Sequence, residues 1–168
     1  MKIMSGELID IYDSQGRRIG LAERSKAHGD NTLLHRAAHV LVFSADGRLL
    51  LQKRSMTKRI QPGKWDASVG GHLAAGEDYQ TGARRELAEE LGLPPETELE
   101  HLFDVEIRNE IESEDARVFK AVSDGPFEFQ REEIDEVRFF TRQELETPEV
   151  RRELTPCLIG ELERLYGK

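Results

Sequence analysis

The chain has 168 residues, 38% hydrophobic and 34% charged, with a formal net charge of −9 and a pI near 5.1. That length suits one domain with a substantial core and is short for two. The acidic balance argues against binding a nucleic-acid polymer, which calls for a basic face, and no apolar run approaches the roughly 20 residues of a membrane span. The opening "MKIMSGELID" lacks the long apolar segment of a signal peptide. The single cysteine, Cys157, excludes an internal disulfide and fits a reducing compartment, so the sequence reads as cytoplasmic.

In chain order, "ELIDIY", the turn "DSQG" and "RRIGL" predict an N-terminal hairpin within residues 1–30, an extension that could serve as a homodimer element. "HRAAHVLVF", the turn "SADG" and "LLLQKR" predict a second hairpin. "SMTKRIQPGKW" carries Pro62-Gly63 and reads as a loop. A helix follows from about Asp78 to Leu91, ended by Gly92 as C-cap and barred from continuing by Pro94-Pro95. "LEHLFDVEI" and "ARVFKAVS" read as paired strands and "EVRFFT" as another. Thr141 caps a short helix "RQELE", and Thr155-Pro156 opens the last one, with Cys157 as a small buried residue in it. Strands and helices mix without strict alternation, which predicts α+β, a mixed sheet with helices on its faces.

The helix at 78–91 concentrates negative charge. With about 100° between successive residues, Glu86, Glu89 and Glu90 fall in one arc of about 100°. Ala83, Leu87 and Leu91 form the adjoining stripe, facing the core. Like charges at this spacing repel, and a divalent cation with a preference for oxygen ligands removes that cost. Arg85 stands four before Glu89, where it can hold that side chain. Gly71 stands six before Glu77, in a loop that lets backbone approach a ligand closely.

"GHLAAGEDYQTGARRELAEELGL", residues 71–93, resembles the Nudix box at every fixed position: G, five residues, E, seven residues, then R-E-aliphatic-x-E-E-x-G-aliphatic. The resemblance covers most of the chain and implies a single Nudix domain over residues 1–168, an α/β/α sandwich with the box as loop–helix–loop. It implies that Glu86, Glu89 and Glu90 are the main metal ligands, with Gly71 or Glu77 assisting and Arg85 orienting the cluster. The implied activity is Mg²⁺-dependent hydrolysis of a nucleoside diphosphate derivative or similar small diphosphate, with Mn²⁺ as a substitute. Glu90 in the box, or Glu133 or Glu136 in "EFQREEIDEV", are candidates for the general base.

A second constellation comprises His28, His35, His72, Glu112 and Glu114. It resembles the metal site of a Nudix relative, type I isopentenyl-diphosphate isomerase, and that resemblance makes Arg54 and Lys58 candidate diphosphate contacts. Three nitrogen and two oxygen ligands suit Mn²⁺, Zn²⁺ or Mg²⁺ on softness grounds. The position of the isomerase's catalytic cysteine is Gly70 here, and that of its shielding aromatic is Cys157, while Trp65 reads as core or pocket wall. Shifting a proton across a double bond needs a donor and an acceptor on opposite sides; Glu114 supplies one, and glycine cannot supply the other. The hydrolase box is intact. The expectation is therefore a hydrolase on the isomerase-like branch, with an isomerase or a non-catalytic nucleotide-binding module as alternatives.

Overall fold

The computed structural model describes residues 7–167. The N-terminal hairpin pairs β1 (Leu8–Tyr12) with β2 (Arg18–Glu23), and a single turn of helix, α1 (Arg24–Ala27), follows. The long β3 (Leu34–Phe43) is the centre of the sheet: β8 (Ser113–Val122) runs parallel to it on one side, and β6 (Val69–His72) runs antiparallel on the other. β4 (Leu49–Arg54) takes β5 (Trp65–Asp66) and β9 (Ile134–Phe140) as neighbours, and β7 (Glu100–Arg108) pairs with β8. Together these form one nine-stranded mixed sheet.

Helix α2 (Tyr79–Leu91) covers one face. Asp78 caps its start by accepting from the Thr81 N–H, and Gly92 ends it in the left-handed conformation at φ 70°. Its Ala83, Leu87 and Leu91 pack on Ala38, Val40 and Val42 of β3. After the short α3 (Arg142–Leu145) and α4 (Pro148–Arg151), helix α5 (Pro156–Tyr166) covers the other face, where Leu158 and Leu162 meet Leu41, Phe43, Trp65 and Phe140. The alternation along β3 assigns each residue its side: even-numbered residues from Ala38 face α2, and His35, Ala37, His39, Leu41 and Phe43 face α5.

The expectation of an α+β fold, a mixed sheet with helices on its faces, agrees with this architecture. Four elements lie beyond it. α1 and α4 are four residues each, too short to show helical periodicity. β5 and β6 were not expected, and β6 contains Gly70-Gly71, a pair usually depleted from strands. Glycine inside a strand marks a place where something approaches closely, and here both glycines serve the candidate sites.

Candidate functional site

The pleat of β6 divides the chemistry between two faces. Gly71 points toward α2, and a Cβ there would lie 2.2 Å from Glu86 Oε2. The missing side chain is therefore what admits the Glu86 carboxylate to the sheet edge. The Glu86 and Glu90 carboxyls are neighbours; burial raises the pKa of both, and for Glu90 the neighbouring Glu86 raises it further. Gln52 on β4 spans the gap behind them, donating from Nε2 to Glu90 Oε1 at 3.0 Å and to the Ser68 carbonyl at 2.9 Å.

Arg85 organises the cluster. Its Nε and Nη2 reach the two Glu77 oxygens at 2.8 Å each, a fork-to-fork pair, and Nη2 also donates to the His72 carbonyl at 3.1 Å. Nη1 meets Glu86 at 3.1 Å and Glu89 at 3.4 Å. Burial would raise the Glu77 pKa, but the Arg85 guanidinium and the Ala74 N–H bring it below the usual range. Glu89 is about half exposed at the rim, apart from the Glu86–Glu90 pair.

The other face of β6 carries His72. Its Nε2 meets Glu114 Oε2 at 2.7 Å, and His35 Nε2 meets the same oxygen at 3.2 Å. The parallel register that sets His35 opposite Glu114, and the antiparallel one that sets Ala37 opposite His72, bring these three together. With Glu112 they form a set whose ligand atoms all lie within 4.8 Å of one another. Burial opposes charge on Glu114, but the two histidine bonds hold its pKa well below the usual carboxylate range. Burial and the nearby Glu114 push Glu112 up to about 7. Glu112 Oε1 is buried without a hydrogen-bond partner among the described residues. His28 stands outside the set, exposed, with its ring edge-on to His72 at 4.6 Å between centroids.

The remaining candidates sit apart from both clusters. Arg54 donates from Nε to the Ile60 carbonyl at 2.9 Å and approaches Asp66 at 3.5 Å. Lys58 is paired with Glu133 at 2.5 Å, so a candidate diphosphate contact and a candidate base engage each other. Glu136 is exposed on β9, opposite Lys53. Trp65 is core, packed on Phe140 with ring centroids 5.0 Å apart.

Sequence reasoning did not single out Gln52, Arg24, His39 or Glu161. Arg24 Nε donates to His72 Nδ1 at 3.0 Å. His39 Nδ1 meets Glu161 Oε2 at 2.5 Å across α5 and β3, and Cys157 Sγ lies 3.5 Å from the same oxygen. Burial would lower the His39 pKa, but the Glu161 carboxylate outweighs it and raises the imidazole to about 9. No motif announces these contacts, because a lone histidine in an apolar strand carries no spacing to read.

No described helix is long and apolar enough to cross a membrane. The NUDIX domain family matches residues 33–158 of this chain. The uncharacterized Nudix hydrolase PA4841 of Pseudomonas aeruginosa is 40% identical over 147 residues, which cover 86% of this chain and 84% of that protein. An isopentenyl-diphosphate Delta-isomerase of Clavibacter michiganensis is 34% identical over 144 residues, 83% of this chain and 74% of that one. The crystal structure of DR0079 from Deinococcus radiodurans superposes with a TM-score of 0.78, covering 95% of this chain and 98% of that chain; at 23% identity this likeness speaks to the fold alone. Members of this family use divalent metal ions and act on small molecules. The chain belongs to the NUDIX domain family, among its Nudix hydrolases.

Proposed function

We propose that this chain hydrolyses the phosphoanhydride bond of a small organic diphosphate of the nucleoside diphosphate type, with Mg²⁺ as its ion and Mn²⁺ as a substitute. The observation that carries this reading is the Glu86–Glu90 pair, two carboxyl groups pressed together where Gly71 lacks a side chain. Such crowding fits a hard divalent cation, which takes carboxylate oxygens and relieves their repulsion. Glu86, Glu89 and Glu90 would hold the ion, with Glu77 or the Gly71 backbone assisting. A bound ion of this kind neutralises a diphosphate and makes a water nucleophilic at neutral pH.

The chain's own residues do the positioning. Arg85 fixes Glu77, Glu86 and Glu89 with one guanidinium, and Gln52 fixes Glu90. Lys58 and Arg54 are available to a diphosphate only when it displaces Glu133 and Asp66 from them. With Glu133 so engaged and Glu136 on the outer strand, Glu90 is the base candidate that already lies inside the cluster.

The test is a screen of organic diphosphates read by phosphate or nucleoside monophosphate release, with Mg²⁺ and with chelator. Activity should require the ion and should fall at least about a hundredfold in Glu86→Gln, as loss of a ligand to the ion that stabilises the transition state demands. Undiminished turnover in that variant refutes the reading; tight binding of a diphosphate without turnover in the wild type favours a binding module instead.

A second divalent site at His35, His72, Glu112 and Glu114 has its own support in the orphaned Glu112 Oε1. His35 Nδ1 is held by the Leu33 carbonyl at 3.0 Å, which leaves Nε2 as the ligating nitrogen. An isomerase also needs a proton-transfer partner across from Glu114, and Gly70 offers none. Isopentenyl diphosphate incubated with the protein in heavy water should therefore take up no deuterium.

A further inference from the structure

We propose that His39, Cys157 and Glu161 form a binding site for a thiophilic divalent cation of the zinc class, separate from the box carboxylates and from the His35–His72–Glu114 cluster. The fold builds this place from two elements. β3 points His39 toward α5, and the neighbouring strand supplies Gly70 opposite it. A Cβ at position 70 would lie 3.2 Å from His39 Cδ2, so a glycine there gives the imidazole its room. From the other side, α5 presents Cys157 and Glu161 four residues apart, on one face of the helix. A histidine nitrogen, the cysteine sulfur and a carboxylate oxygen lie within 4.8 Å of one another.

A buried ion pair between His39 and Glu161 is the simpler description, and it accounts for only half of the carboxylate. Oε2 faces both His39 and Cys157. Oε1 is buried and has no hydrogen-bond partner among the described residues, in a side chain that is 1% exposed. A buried carboxylate oxygen without a donor calls for an explanation, such as an ion or a water that belongs there. The cysteine sulfur favours the ion, because nitrogen, sulfur and oxygen donors together match zinc and its analogues rather than magnesium or calcium. Three protein ligands would leave a fourth position open. Tetrahedral ligation sets nitrogen and oxygen ligands about 3.3 Å apart at the usual bond lengths, so the His39–Glu161 contact must open by roughly 0.8 Å, within the reach of side-chain adjustment. On loading, the ion replaces the protons now held among the three side chains.

The sequence makes the test specific: Cys157 is the only cysteine, so any thiolate signature belongs to this place. The full chain, stripped with chelator, is titrated with Co²⁺ and followed in the near ultraviolet for thiolate-to-cobalt charge transfer. The band should saturate at an intensity corresponding to one thiolate–cobalt bond per chain, disappear in Cys157→Ser, and need at least about tenfold more cobalt in His39→Gln and Glu161→Gln. It should persist in His72→Gln and Glu86→Gln, and circular dichroism should match the wild type in every variant compared. No band in the wild type overturns the proposal. So does a band of unchanged affinity in both His39→Gln and Glu161→Gln, which would make it adventitious cobalt on a single thiol. The readout needs no turnover, so it stands or falls independently of the hydrolase reading.

Discussion

Glu86 occupies the space that a side chain at position 71 would fill: the distance from a Gly71 Cβ to Glu86 Oε2 would be 2.2 Å. The clash would be with the tip of a flexible side chain, not with backbone. Gly71→Ala should therefore leave the fold in place, with stability within about 1 kcal/mol of wild type. The cost should fall on function. Displacing a reacting group or its ligand by about 1 Å can cost about a hundredfold in rate, so kcat/KM on a diphosphate substrate should drop by that order. Denaturant midpoints and kinetics measured on the same preparation check both halves.

Arg85 should act as a strut as well as an orienting group. Its two 2.8 Å bonds to Glu77 tie the loop before α2 to the middle of the helix, and the bond to the His72 carbonyl ties both to β6. Lysine keeps the charge but loses the fork. Arg85→Lys should lower stability by about 1–3 kcal/mol, the range for leaving charged hydrogen-bonding groups partly unmade. In a double-mutant cycle with Glu77→Gln, measured by urea unfolding, the two changes should be strongly non-additive.

The box helix was legible because its signals are local: Asp78 caps it, Gly92 takes the left-handed turn, and Ala83, Leu87 and Leu91 mark its buried stripe. The hairpins were legible for the same reason. β6 was not, because Gly70-Gly71 hides the strand pattern, and its identity comes from pairing with β3. The His–Glu set on the α5 face gathers residues from β3, β6, β8 and the segment just before β8, and sequence reached it only through a family resemblance. His39 and Glu161 stand 122 positions apart. Nothing in either neighbourhood points to the other; only the α5 packing that buries Leu158 and Leu162 brings them together.

Asp10 joins the N-terminal hairpin to the box loop. Its carboxylate accepts from the Gly76 N–H at 2.8 Å and from Arg18 Nε at 2.6 Å. Burial would raise its pKa, but the Gly76 and Arg18 bonds bring it below the ordinary value. The sign follows: a depressed carboxylate stabilises the fold above its unfolded pKa, and the contribution disappears as pH falls through the folded one. Asp10→Asn should cost about 1–2 kcal/mol near neutrality. The difference from wild type should shrink as pH falls below about 4. Parallel urea titrations of the two proteins from pH 7 to pH 3 measure it; a gap that stays constant with pH would remove Asp10 as its source.

Arg24 should oppose cation binding at the His35–His72–Glu114 cluster. Its Nε–H donates to His72 Nδ1 at 3.0 Å, so that nitrogen carries a lone pair and the proton of the neutral ring lies on Nε2. Nε2 is the atom that faces Glu114 at 2.7 Å and would have to ligate an ion. Ligation through Nε2 moves the proton to Nδ1, where it would confront the Arg24 N–H, donor against donor. The guanidinium charge adds to the penalty. Arg24→Leu should therefore tighten Mn²⁺ at this cluster by about five- to tenfold, the effect of relieving roughly 1 kcal/mol of donor conflict. The measurement is calorimetric titration in a Glu86→Gln background, which weakens the box so that the His35–His72–Glu114 cluster, with hard and borderline ligands and no thiol, is the main remaining Mn²⁺ site. Equal or weaker affinity after Arg24→Leu would mean that His72 does not bind the ion through Nε2.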